Sequence, residues 1–130
     1  MLYSIDEVLE YVREEDVKFV RLAFCDVFGR PKNVSIPTGE LEYAFRSGIS
    51  IDASAIAGFG EESHSDLFLF PDSTTLSVLP WRPAHGKVVR MFCDIKLPNG
   101  EAFPLDSRGL LRKAVAQAAS KGLGCYFGAE

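Results

Sequence analysis

Apolar and polar positions change period several times along the chain, and each change marks an element. Ile5, Val8, Leu9 and Val12 recur at helical spacing, which predicts an amphipathic helix ending near Glu15. Ser4 stands where an N-cap belongs, Glu7 closes a capping box, and Tyr3 and Val8 are placed as a hydrophobic staple. From Val17 to Val27 the period drops to two, with Val20, Leu22 and Phe24 on one face. "DVFGRP" turns the chain and Asn33 to Ile36 returns it, so residues 17–36 read as a hairpin. A second short helix, Glu40 to Ser47, buries Leu41, Ala44 and Phe45 and stops at Gly48.

Strand composition returns in residues 67–72, 75–80 and 87–97, with Pro, Asn and Gly clusters between them. Four to six short strands, two helices and mostly hairpin links predict an α+β fold, a β-grasp-like mixed or antiparallel sheet. After Pro104 the pattern becomes helical again. Asp106 is placed to cap a helix from Ser107 to about Lys121, with Leu110, Leu111, Ala114, Val115 and Ala118 on one face and Gly122 as terminator. "LGCYFGAE", residues 123–130, then reads as an apolar strand, and a strand so apolar wants neighbours on both sides. The expectation is a first domain over residues 1–104 and, over 105–130, the start of a second domain of a longer protein.

One segment fits no element. Between a strand-like start at Ser50 and the apolar "LFLF", "SIDASAIAGFGEESHSD" spends far more residues than a corner needs. Asp52 stands at its root and Asp66 at its exit.

Composition narrows the partners. The 130 residues carry 14 basic against 18 acidic side chains, a net charge of −4, which gives no electrostatic footprint for nucleic acid or anionic lipid. The N-terminus is acidic and amphipathic, unlike a signal peptide, and no apolar run reaches the roughly 20 residues that span a bilayer. A cytoplasmic protein is expected. Cys25, Cys93 and Cys125 are odd in number and sit in apolar segments, as buried, reduced thiols do.

Among groups that carry chemistry, "GFGEES" (58–63) makes a poor phosphate cradle, because Glu61 and Glu62 would repel the phosphate and no Lys follows. Ser63, His64 and Asp66 hold the letters of a hydrolase triad, but neighbours in an extended chain point apart; His64 and His85 read as solvated loop residues. Asp52 lies among Ile51, Ala53, Ala55 and Ile56. A carboxylate in such company is either a turn or cap residue or a group placed to meet a cation.

The order "FVRLAFCDVFGRPKNVSIP", "GISIDASAIAGF", "ESHSDLFLFPD", "LPWRP", "RMFCDIKLPNGEAFPLDSRGLLRKA" and "YFGAE" resembles the N-terminal region of glutamine synthetase, bacterial type I, from Val17 onward. The resemblance implies the β-grasp N-terminal domain of an ATP-dependent ligase that joins ammonium to glutamate, with ADP and phosphate as co-products. The family's Asp-Gly-Ser-Ser-Ile signature falls on Asp52 to Ile56, making Asp52 the catalytic candidate that binds ammonium and takes its proton. Asp66 would support the loop and the ammonium site, with Ser54 and Phe59 lining the pocket; the family's usual Trp is Phe59 here. "GAE" matches the start of a metal-binding segment, so Glu130 would be one ligand for Mg²⁺ or Mn²⁺. Glutamate, ammonium and ATP are the implied substrates, and identical neighbouring subunits in a double hexameric ring, a dodecamer, the implied partners, with Asp52 lent to the next subunit. On that implication the chain alone is inactive. Ala53 and Ala55 replace the signature's Gly and second Ser, which keeps open a γ-glutamyl–polyamine or other amine ligase of the same family. A β-grasp module that only binds or assembles is the non-catalytic alternative.

Overall fold

The computed structural model describes residues 2–60, 66–81 and 86–130. The sequence-predicted loop residues Glu61, Glu62, Ser63, His64 and His85 lie outside them. The capping box forms as expected: the Glu7 amide donates to Ser4 Oγ (3.2 Å) and the Ser4 amide to Glu7 Oε2 (2.7 Å), which starts α1 (Ile5–Glu14). Strands β1 (Phe19–Cys25) and β2 (Pro31–Pro37) pair antiparallel, and α2 (Leu41–Ser47) follows. Then come β3 (Ile49–Asp52), β4 (Asp66–Pro71), the two-residue β5 (Ser77–Val78), β6 (Val88–Lys96) and α3 (Ser107–Ser120).

The sheet order is β2-β1-β6-β4-β3, with β5 beside β6. Strand β6 runs parallel to β1 and antiparallel to β4 and β5, so this is a mixed sheet of the expected α+β kind. Period two decides its faces. Val20, Leu22 and Phe24 of β1 meet Val89, Met91 and Cys93 of β6, Leu67 and Leu69 of β4, and Val8, Val12, Leu41 and Ala44 of the helices in one core.

Helix α3 is tied to the sheet by polar groups. Asp106 is buried; its Oδ1 accepts from the Arg108 amide (3.2 Å) and its Oδ2 from the Ile95 amide (3.0 Å), so one carboxylate caps α3 and also satisfies the edge of β6. Burial pushes the Asp106 carboxyl above its ordinary range, against those amide hydrogen bonds. Arg108 and Arg112 both bridge Asp72 and Asp94, at 2.5 to 3.1 Å. None of the residues of α3 is buried.

Several expectations give way. Residues 123–130 form no strand and are exposed, Tyr126 and Phe127 strongly so, because nothing in the described chain pairs with their backbone. The expected strand over 75–80 shrinks to β5, since Asp72 caps a 3₁₀ turn at Ser73–Thr75 by accepting from the Thr74 amide. Of the cysteines only Cys93 is buried, its thiol pushed up to about 12 by desolvation; Cys25 is partly exposed and Cys125 exposed. The apolar face expected on α3 is present, and Leu110, Leu111 and Val115 on it lie exposed.

Gly48 ends α2 at φ +75°, where an added Cβ would lie 2.7 Å from the Phe70 ring. Gly48→Ala is therefore expected to destabilise the domain by about 1–3 kcal/mol. Urea unfolding checks this, and an unchanged midpoint contradicts it.

Candidate functional site

The register of β3 on β4 places Asp52 directly opposite Asp66, one step beyond the buried pair Ile51 and Leu67. Side chains opposite one another in a ladder share a face, so both carboxylates stand on the face away from Ile51 and Leu67, and both are exposed. The two aspartates predicted at the root and exit of the loop thus become neighbours. Like charges facing each other across a ladder repel, and a cation between them relieves the repulsion.

Asp52 also serves as a cap. Its Oδ1 accepts from the Ser54 amide (2.9 Å) and the Ser54 hydroxyl (2.7 Å), which starts a 3₁₀ turn at Ala53–Ala55. The structural and chemical readings of this residue therefore coexist, because both bonds end on Oδ1 and among the described residues nothing donates to Oδ2. The Ser54 hydroxyl, then its amide, holds the Asp52 carboxyl below the ordinary aspartate range. Asp52 is thus anionic at neutral pH, which suits a group that collects a cation.

The other predicted residues separate. Ser54 is exposed beside Asp52, with its hydroxyl engaged there. Phe59 is buried, its ring 5.1 Å from Phe103 in an edge contact and 6.1 Å from Phe24. It anchors the loop to the core. Ala53 is also fully buried, so its methyl fills core space, whereas Ala55 is exposed. Glu130 lies exposed at the end of the segment that follows α3. Among the described residues no three His, Cys, Asp or Glu side chains converge as metal ligands; the donors present do not make a metal cage.

The turn from β1 to β2 was legible only as a turn, yet it carries a buried carboxylate. Asp26 Oδ1 accepts from the amides of Phe28 and Arg30, each at 2.9 Å, and Gly29 sits at φ +75°. An Asp followed three residues later by Gly and then Arg is the signal that could have found it.

The family model for the glutamine synthetase β-grasp domain matches residues 16–98. The chain belongs to the glutamine synthetase family. It carries that family's N-terminal β-grasp domain. A glutamine synthetase from Mycolicibacterium smegmatis is 45% identical over 125 residues, covering 95% of this chain and 28% of the relative. One from Methanococcus voltae is 40% identical over 132 residues, covering 95% of this chain and 30% of the relative. Among solved structures, Plasmodium falciparum glutamine synthetase superimposes with a TM-score of 0.83 at 25% identity, over 94% of this chain and 24% of that one. GmaS in its ADP complex gives 0.78 at 25% identity, over 87% and 25%. The chain thus spans less than a third of the length of these glutamine synthetases.

The capping geometry makes the acid side of Asp52 testable. Ser54→Ala removes the hydroxyl donor, so the Asp52 pKa is expected to rise toward its ordinary value of 3.8. Since the folded value is depressed, the stability linked to it is present above 3.8 and lost as pH falls through the folded value; Ser54→Ala narrows that window. Carboxyl ¹³C NMR titration checks this, and an unmoved Asp52 titration contradicts it.

Proposed function

We propose that this chain is the N-terminal part of an ATP-dependent ligase that joins ammonium to glutamate, and that Asp52 is its contribution to the chemistry. The observation that carries the proposal is Asp52 itself, exposed, anionic and opposite Asp66, at the start of the segment that resembles the family's signature. Ammonium is a compact cation and almost wholly protonated at neutral pH, so it needs both an anionic seat and a base. Asp52 Oδ2 offers both: it attracts NH₄⁺, accepts one proton and releases NH₃. The NH₃ lone pair then attacks the γ-carbonyl carbon of γ-glutamyl phosphate, the carbon–oxygen bond breaks with its electron pair leaving on phosphate, and the new nitrogen gives a further proton to the departing phosphate or solvent to become the amide. Asp66 holds a second negative charge beside this seat and favours its occupation.

The remaining parts belong to the length of the relatives that this chain does not span. In this reading residues 1–104 form the β-grasp domain and residues 105–130 begin the catalytic domain. Glu130 would join ligands from that domain in holding Mg²⁺ or Mn²⁺, which when bound neutralises phosphate charge during transfer. The site is completed between identical subunits of a cytoplasmic ring, with the loop lending Asp52 to its neighbour. That reading accounts for the exposure of both aspartates on the segment alone. The segment by itself, lacking the glutamate and nucleotide sites, is inactive.

A second reading rests on Ala55. The burial of Ala53 removes it from the pocket, but exposed Ala55 leaves one signature hydroxyl missing where the amine would stand, as an amine larger than ammonium would require. Steady-state assays of the full-length enzyme with ammonium, putrescine and ethanolamine separate the two. Asp52→Ala is expected to lower ammonium-dependent synthesis by at least about a hundredfold, the contribution of a general base; near wild-type turnover contradicts the assignment.

A further inference from the structure

We propose that the β1–β2 turn is the seat that fixes the Asp52 loop, with Asp26 and Val27 as positioning residues; this rests on the role just given to Asp52. The turn is built to hold one shape. Asp26 is 1% exposed. Its Oδ1 takes the amides of Phe28 and Arg30, its own amide donates to the Arg30 carbonyl (3.1 Å), and the Gly29 amide donates to its carbonyl (3.1 Å). A buried residue at the centre of four hydrogen bonds, two to its side chain and two to its backbone, leaves the turn little freedom.

The rigid turn presents Val27 to the loop. An added Cβ on Gly58 would fall 2.4 Å from Val27 Cγ2 and 2.8 Å from Cγ1, and Gly58 sits at φ +81°. The valine thus occupies the space that any side chain at residue 58 would need, so loop backbone and turn meet without a gap. The next residue, Phe59, is clamped by Phe103 and by Phe24 of the strand that leads into the turn.

From this seat two backbone hydrogen bonds and the chain itself lead back to the carboxylate. The Phe59 amide donates to the Ile56 carbonyl (3.1 Å), the Ile56 amide to the Ala53 carbonyl (3.0 Å), and Ser54 grips Asp52 Oδ1. Strand β3 holds the Asp52 backbone; the loop holds Ser54 and, through it, the direction of the carboxylate. The seat therefore bears on the amine step and leaves the binding of glutamate and ATP alone.

Asp26 Oδ2 is buried with no partner among the described residues. Every bond from the side chain to the turn uses Oδ1, an atom that asparagine retains as a neutral acceptor. Asp26→Asn is accordingly the conservative variant, and Asp26→Ala the disruptive one.

The test is steady-state kinetics on the full-length enzyme. Val27→Ala and Asp26→Ala are each expected to raise the ammonium KM by about tenfold or more, the order of effect that a displaced catalytic group produces, with glutamate and ATP KM values within about twofold and Asp26→Asn close to wild type. In an Asp52→Ala background Val27→Ala should cost little more, because both act on one carboxylate. Equal shifts in all three KM values, an unmoved ammonium KM, an Asp26→Ala loss that Asp26→Asn does not recover, or full additivity against a crippled Asp52→Ala enzyme overturns the seat. An Asp52→Ala enzyme of undiminished activity overturns the functional reading beneath it, and the seat with it.

Discussion

Strand β6 is the constraint on which the rest of the molecule depends. Its first half pairs with β1 in parallel, and its other edge is shared between β5 and β4. Val89, Met91, Cys93 and Ile95 send a continuous apolar row into the core, while the Ile95 amide and the Asp94 carboxylate on the same strand receive α3 through Asp106, Arg108 and Arg112. Hairpin connections set β2 and β3 at the two ends of the order. Each therefore takes its register from a neighbour already fixed on β6.

That register carries the site. Side chains alternate along a strand, so slipping β3 by one residue on β4 would turn Ile51 out of the core and Asp52 into it. The buried pair Ile51–Leu67 and the exposed pair Asp52–Asp66 are thus two consequences of one alignment. Apolar burial supplies the free energy that holds two like charges side by side, an arrangement the ladder would otherwise disfavour. Repulsion stored in this way is what a cation can relieve.

Much of this was legible in the sequence. The capping box at Ser4 and Glu7, the alternation of Val20, Leu22 and Phe24, and the helix stops at Gly48 and Gly122 are local signals, and local signals survived. Asp52 and Asp66 could be picked out as carboxylates bracketing a loop, but their pairing depends on a register between segments and is not local. The resemblance placed Phe59 at the pocket, and its burial between Phe24 and Phe103 arises from tertiary contact. Asp26 carried a local signal in the Gly and Arg that follow it, but its burial comes from tertiary packing that the turn itself does not encode. Residues 123–130 failed in the opposite sense: their composition is that of a strand, and a strand needs a partner that they do not find among the described residues. The ion-pair cluster of Arg108 and Arg112 with Asp72 and Asp94 likewise joins positions far apart in sequence.

In the ligase proposed above, the β-grasp sheet carries Asp52 to a site completed by another subunit. Mixed assemblies test it most directly. Subunits bearing Asp52→Ala are combined with subunits whose catalytic domain is disabled beyond residue 130, each inactive when assembled alone. If Asp52 serves the neighbour, some interfaces in the mixture pair an intact Asp52 with an intact catalytic domain, and ligase activity returns. If Asp52 serves its own subunit, every site in the mixture retains one defect, and mixtures as inactive as their parents contradict the account.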